Sequence, residues 1–522
     1  MYFLNKKNLV LKTYLFLFAL LCFSISRYTN FYVPLNDFWG NVFMAKHIEF
    51  YNPASNYNGF YPIGYGILLS LFSSFNLVIV GFIINILFGI LLITSTAILS
   101  SHILGKTWGI IYMISVSFQP LVFHYILTPG SDIGCATFTT IGGMLLLAQD
   151  RVSKKIHKDL SYIISGLLFG FSALLRYHGL VLAFSFFVST ILINRQPLRF
   201  FVCFFLSFII AYSPQILTNV LSGHGPFETS QSFNVFKLIH GINWYNTSKI
   251  HIPQSIITVI ANSPKGFITA YTGFMGKQLY LIIPSLICTF VLKDYLGIKY
   301  SIVLNITFII YILITSMGGS IRGMLPLLPF FIFSIIMLTK YGLERIREGF
   351  NKDKLMLSLA LVSVIFFACF YSLLWLKNNL IDIKDRAFWG KSFKLIEEVL
   401  VKNEGVTNPK QIFTTSFDLY FLTLKSHRPI SNGDWERYDL HGYNQEYPEI
   451  CTDSIDIFLD DCRKDSISHL VIDKNANKLL SELGDLYEQK YKHNQLQLIA
   501  NISGLKIFKF IDFGLNENDL SY

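Results

Sequence analysis

The feature that most constrains this chain is a repeated alternation: apolar runs long enough to cross a bilayer, joined by short connectors rich in Lys and Arg. A helix needs roughly 20 apolar residues to span the hydrocarbon. Runs of that kind lie at 9–27, 62–103, 105–127, 131–150, 161–176, 178–194, 199–220, 278–293, 299–317, 322–340 and 355–377. Only 15% of the 522 residues are charged, well under the roughly 25% of a soluble domain. The fold class that follows is mainly α, a polytopic transmembrane helical bundle. Within 62–103, a Tyr-Pro-Ile-Gly-Tyr-Gly start and Asn76 predict a short or re-entrant piece at 62–76 and a full span at 77–103. Counted as one, that run gives about eleven crossings.

Charge sets the orientation. Arg151, Lys154, Lys155 and Lys158, then Arg195 and Arg199, Lys293 and Lys299, and finally Lys340, Arg345, Arg347, Lys352 and Lys354 sit in alternate connectors, which reads as positive-inside. Lys6, Lys7 and Lys12 put the N-terminal segment on the same, cytoplasmic, side. Residues 13–26 resemble a signal-peptide core, but no small-residue cleavage site follows and Arg27-Tyr28 ends the run, as in an uncleaved anchor. The net charge of +10 is dispersed over these connectors, which argues against nucleic acid as a partner. An odd number of crossings places the part beyond the last span outside.

That part, 380–522, differs in character from the transmembrane region 1–379. QIFTTSF, HLVID and LKIFKF have strand length, and KSFKLIEEVLVK and KLLSELGDLYEQKYK have helical periodicity. The alternation predicts a small extracytoplasmic α/β domain. Cys451 and Cys462, eleven positions apart in polar sequence, are candidates for a disulfide there.

The topology sorts the remaining ionisable residues onto the outer surface. Asp37 and Glu49 lie in the first outer loop, 28–61; Asp132 opens the span at 131–150; Arg176 and His178 occupy the turn between 161–176 and 178–194. Arg322 sits at the outer turn between the spans at 299–317 and 322–340, and His224, Glu228, His240, His251, Lys265 and Lys277 belong to a large outer loop, 221–277. A loop of about 35 residues after the first span is longer than an ordinary connection. Structural readings stand beside the functional ones: Asp37 and Asp132 as helix caps, Arg176 and Arg322 as interface anchors, and Trp39, Tyr57, Tyr61, Trp244, Tyr245 and Tyr271 as an aromatic belt. The outer histidines lack metal-ligand spacing, and no cofactor is indicated.

Asp37, Ala45-Lys46 and Tyr61-Pro62-Ile63-Gly64-Tyr65, followed by Pro129-Gly130-Ser131-Asp132, Leu175-Arg176-Tyr177-His178-Gly179 and Arg322 before Leu325-Pro326-Leu327-Leu328-Pro329, resemble the polytopic C-type glycosyltransferases. That group includes protein O-mannosyltransferases and the lipid A aminoarabinose transferase. The stretch FTTSFDLYFLTLKSHRPI is similar to the α/β tail many of them carry. The resemblance implies transfer of a sugar, with inversion, from a polyprenyl-phosphate donor to a glycan, lipid or protein acceptor outside the membrane. It implies Asp37 as general base, with Glu49 or Asp132 as a second acid. Arg176, Arg322 and Lys265 would hold the donor phosphate, and Lys46, Tyr61, Tyr65 and His178 would position the loop. A single Asp37 after Asn36, where many relatives pair two acids, argues against a metal-dependent variant. The alternatives are a polysaccharide polymerase or ligase, or a transporter of lipid-linked sugars.

Overall fold

The computed structural model describes residues 9–29, 36–47, 61–152, 158–193, 196–223, 225–227, 298–315, 325–347, 377–406, 411–414, 429–430, 450–451, 455–464, 466–472 and 496–511. The chain divides into a unit of residues 1–26, 44–241 and 251–382 and a second of 27–43, 242–250 and 383–522. The sequence division at 379/380 falls close to the last of these boundaries, whereas 27–43 is grouped with the second unit.

Helices α1 (Leu9–Tyr28) and α2 (Asn36–His47) come first. Buried Phe38, Asn41, Val42 and Ala45 recur at helical spacing along α2, and Gly40 and Met44 on another face are buried as well. The motif at 61–66 then opens α3 (Ile63–Ser70), which ends before α4 (Leu77–Leu104). Asn76 starts α4 as expected, its side chain accepting from the Val78 and Ile79 N–H groups at 3.0 and 3.3 Å. At 28 residues α4 is about 42 Å long, ample for a crossing.

The single span expected at 105–127 is two helices, α5 (Lys106–Ser117) and α6 (Pro120–Ile126), bent by 65°. Pro120 lacks the N–H that would continue the ladder, and the Gln119 side chain caps α6 by accepting from Val122 N–H at 3.0 Å. Helices α7 (Asp132–Val152), α8 (Lys158–Leu175), α9 (Tyr177–Ile193), α10 (Pro197–Leu221) and α11 (Ile298–Thr315) lie at the positions expected for 131–150, 161–176, 178–194, 199–220 and 299–317. The span expected at 322–340 is displaced: a 3₁₀ turn at 325–327 leads into α12 (Leu328–Arg347), because Pro326 and Pro329 suit a helix start and not its interior. Among the described residues, five helices are long and apolar enough to cross a membrane, or six with the bent pair taken as one, and three shorter apolar helices accompany them. The chain is an integral membrane protein. The expected spans at 278–293 and 355–377 lie outside the described residues, except for residue 377.

Lipid offers little hydrophobic drive for helix association, so close packing and hydroxyl bonds hold the bundle. Gly166 and Gly170, one turn apart on α8, lie directly against α10. A Cβ at Gly166 would come within 2.3 Å of the Phe204 carbonyl, and one at Gly170 within 2.7 Å of that of Phe208. Ser165 donates to the Gly142 carbonyl (3.0 Å), and Thr137 to that of Phe88 (3.0 Å). Ser189 and Thr307 share a hydrogen bond of 2.6 Å. At the opposite end from the α7 N-terminus, Lys340 donates to the Leu104 carbonyl at 2.9 Å and Arg199 pairs with Asp159. Phe201, Phe205, Leu206, Ile210 and Leu217 leave an apolar stripe of α10 exposed, as a lipid-facing surface requires.

The second unit contains α13 (377–398, whose first six residues belong to the first unit), ending in a π turn at Val399–Asn403, and α14 (Ile455–Lys464). Its strands are β1 (Ile412–Thr414), β2 (Pro429–Ile430), β3 (Ile450–Cys451), β4 (His469–Ile472), β5 (Leu496–Ile502) and β6 (Leu505–Phe510). The main sheet runs β1-β4-β6-β5, with β1 parallel to β4 and the other pairs antiparallel. Ser503-Gly504, at φ +57° and +88°, closes the β5–β6 hairpin as a two-residue turn of the type whose twist suits paired strands. Alternation along β4 sends Leu470 and Ile472 to a core with Phe458, Leu459 and Cys462 of α14. Val471 goes to a second core with Phe393 and Ile396 of α13. The side chain of Cys451, the expected disulfide partner of Cys462, lies outside the described residues, as does the helix expected at 478–492.

Candidate active site

The site is built where several helix ends of the first unit meet. α3 is seated by its backbone: Pro62 precedes its first turn, and the otherwise unpartnered Ile63 N–H donates to Gln215 Oε1 at 2.9 Å. Gly64 lies against the end of α8, where a Cβ would stand 2.5 Å from the Leu174 carbonyl, so no larger residue fits. Tyr65, fully buried, donates its hydroxyl to Asn85 Oδ1 at 3.0 Å, and the Gly130 backbone also hydrogen-bonds that hydroxyl. Asn85 in turn donates to the carbonyls of Tyr125 (3.1 Å) and Thr128 (2.6 Å). One tyrosine and one asparagine thus tie α3 and α4 to the buried Thr128–Asp132 turn.

That turn delivers Asp132, whose side chain is 4% exposed, to Arg176, the single residue between α8 and α9; Asp132 Oδ1 and Arg176 Nη1 lie 2.6 Å apart. The contact is an ion pair by distance and not an aligned hydrogen bond, since the same oxygen has no hydrogen-bond partner among the described residues. Arg176 Nε donates to His178 Nδ1 at 3.3 Å. The two helices that bring the pair together are pinned one turn away: Ser172 donates to the Cys135 carbonyl (3.0 Å) and shares hydrogen bonds with Thr139 Oγ1 (2.7 Å) and Cys135 Sγ (3.2 Å). Buried Tyr311 of α11 is within electrostatic reach of Asp132 and Arg176.

Of the residues expected from the sequence, the structure gathers Asp132, Arg176, His178 and Tyr65 into one cluster. Asp37 stands in the first turn of α2, inside the helix and not ahead of it as a cap; negative charge is favoured there by the helix dipole. The side chains of Asp37 and Lys46 lie outside the described residues, as do Glu49, Lys265 and Arg322. Tyr61 is half-buried just before α3. Sequence reasoning missed Asn85, Ser172, Gln215 and Tyr311. Each is a polar residue within an apolar helix, and in a membrane that is signal enough to ask what it binds. Among the described residues no group of His, Cys, Asp and Glu is placed to hold a metal.

A bundle of apolar helices with a short tucked-in helix after the first loop, polar helix ends clustered at one side and an α/β unit at its C-terminal end has the C-type glycosyltransferase fold. The chain matches the structure of the aminoarabinose transferase ArnT from Cupriavidus metallidurans bound to undecaprenyl phosphate with a TM-score of 0.54 and 10% identity, over 95% of this chain and 98% of that one. The same transferase in the apo state matches at 0.52 with 11% identity, over 95% and 98%. The Archaeoglobus fulgidus oligosaccharyltransferase in complex with Zn and sulfate matches at 0.49 with 12% identity, over 85% of this chain and 65% of that one. No family model matches the sequence, and no curated protein is similar to it.

Proposed function

We propose that this protein is an integral-membrane glycosyltransferase that moves a sugar from a polyprenyl-phosphate carrier to a lipid, glycan or protein acceptor outside the membrane, inverting the anomeric centre. The observation that carries the reading is the clustering of Asp132, Arg176, His178 and Tyr65 at one end of a bundle whose whole-length fold is that of a transferase bound to undecaprenyl phosphate.

Asp37 is the general base. An acceptor hydroxyl must lose its proton as it attacks the anomeric carbon, and a positioned carboxylate typically contributes 10²–10⁴-fold to such a step. The leaving group departs as a phosphate, already a stable anion, so it needs cations and no general acid. Arg176, held by Asp132 and His178, is one of these cations; Arg322 and Lys265 are the others. In this scheme Asp132 serves as the partner that fixes Arg176, which leaves Glu49 as the second acid. Tyr61, Tyr65 and Lys46 set the first outer loop. The active site and the C-terminal unit face the extracytoplasmic side.

The test is transfer of label from a panel of radiolabelled polyprenyl-phosphate sugars by membranes carrying wild type or Asp37→Asn. Label leaving one carrier for a new product with wild type, and at least 100-fold more slowly with Asp37→Asn, supports the mechanism. Equal rates from the two proteins remove Asp37 as the base. Consumption of lipid-linked oligosaccharides alone, with no single-sugar carrier used, replaces the reading with a polymerase or transporter.

A further inference from the structure

Helix α13 has two faces of different character. One, with Phe393, Ile396 and Leu400, packs into the second core of the sheet, and Ser392 at its edge shares a hydrogen bond of 2.6 Å with Ser503. The other face is exposed. Lys377, Ile381, Lys384, Phe388, Lys391 and Leu395 follow one another along it at steps of four and three, with Leu380 alongside. Leu380, Phe388 and Leu395 are each at least half exposed. A helix that covers a sheet and faces water ordinarily carries polar residues on its outer side. Here large apolar side chains alternate with lysines over about 27 Å.

The alternation selects the occupant. The centre of a protein–protein contact is depleted of lysine, and a lysine at every seventh position would bring unpaired charges into it. A lipid headgroup layer suits both residue types. The apolar side chains enter the acyl boundary, while the lysine stems lie along it and their ammonium groups reach phosphates. Among the described residues no carboxylate pairs with Lys377, Lys384 or Lys391, whereas Lys402, beyond the stripe, is held by Glu398 at 3.5 Å. Asp385, exposed at the margin, offsets one of the three charges.

The start of α13 also lies where a headgroup layer is expected. His124, in the last turn of α6, approaches Asp382 at 3.4 Å, and α6 leads directly into the Thr128–Asp132 turn. The stripe therefore begins at the end of the membrane-spanning helices that carries Asp132, and it follows at once on the span expected at 355–377.

We propose that residues 377–395 lie along the membrane surface, with Leu380, Ile381, Phe388 and Leu395 in the acyl boundary and Lys377, Lys384 and Lys391 on the phosphates of anionic lipids. This surface does not depend on the sugar-transfer reading.

The experiment is photocrosslinking of the full-length protein in lipid nanodiscs, with adducts identified by mass spectrometry. The probe is p-benzoylphenylalanine in place of Phe388 or of Glu397, which is exposed across the helix axis from Leu395. In nanodiscs containing phosphatidylglycerol, phospholipid adducts are expected at position 388 and far fewer at 397. Exchanging phosphatidylglycerol for phosphatidylcholine, or raising the salt, is expected to lower the yield at 388, because both weaken the attraction between lysine and headgroup. Lys384→Glu with Lys391→Glu is expected to lower it about tenfold in phosphatidylglycerol and to abolish the difference between the two lipids. Adducts to a second copy of the chain, no adduct at 388, or equal lipid yields at 388 and 397 overturn the proposal. So does a yield at 388 that is indifferent to lipid charge and to salt, a readout that needs no lysine variant to fold.

Discussion

Neither Asp132 nor Arg176 carries in its local sequence any mark of the other. The sidedness expected from the sequence puts both at one surface, but the 2.6 Å approach requires α7 and α8 to be pinned through Ser172, Cys135 and Thr139. Removing one partner leaves a buried charge uncompensated, which typically costs about 3–5 kcal/mol. Asp132→Asn is therefore expected to lower the unfolding midpoint in detergent by that equivalent, and Asp132→Asn with Arg176→Gln to recover part of the loss. Strictly additive effects would show that the two do not interact. Tyr65→Phe tests the other half of the site. Losing a hydroxyl bound to Asn85 and to the Gly130 backbone is expected to destabilise by about 1–2 kcal/mol, measured in the same melt.

At the scale of elements, apolar run length reveals where helices are but not where they break or how closely they meet. The 65° bend between α5 and α6 follows from Pro120 and the Gln119 cap, signals present in the sequence but masked by the length of the apolar run around them. Gly166 and Gly170 were equally visible, yet small residues one turn apart acquire meaning only once a partner helix is known. With the Phe204 carbonyl 2.3 Å from where a Cβ would stand, Gly166→Val must push α8 away from α10. The expected loss is about 1–3 kcal/mol, the usual penalty for overpacking a close contact. Thermal unfolding in detergent measures it, and an unchanged midpoint would mean that the two helices do not meet at this glycine.

At the scale of the whole molecule, the described residues of the second unit carry a pH-sensitive cluster around buried His469. His469, on β4, is 2% exposed; its Nε2 lies 3.5 Å from Glu404 Oε2, which also receives Lys509 Nζ at 2.7 Å. Burial outweighs the Glu404 carboxylate and holds His469 below its ordinary 6.5. The Lys509 hydrogen bond, opposed in part by burial, holds Glu404 below its ordinary 4.5. Both groups take up fewer protons folded than unfolded as pH falls, so both shifts make acid destabilising. The histidine contribution is complete above 6.5 and declines as pH drops through that value; the glutamate contribution declines below 4.5. Hydrogen exchange in β4 and β6 is expected to rise relative to the first unit as pH falls below 6.5. His469→Gln should flatten that part of the profile, and a profile that keeps its slope would place the acid sensitivity elsewhere.

The sequence by itself determined the membrane character of the chain, most helix positions, the start of α4 at Asn76 and three strands of the main sheet at 412–414, 469–472 and 505–510. These depend on run length, period and caps, which are local properties. It also marked the span-end motifs, because an ionisable residue at a span end is conspicuous against apolar sequence. Only the tertiary structure decided that Asp132 and Arg176 are partners, that Asn85 and Gln215 hold the α3 turn, and that β1 lies parallel to β4. Those outcomes depend on distances between residues far apart in the chain, which packing sets and no local pattern encodes.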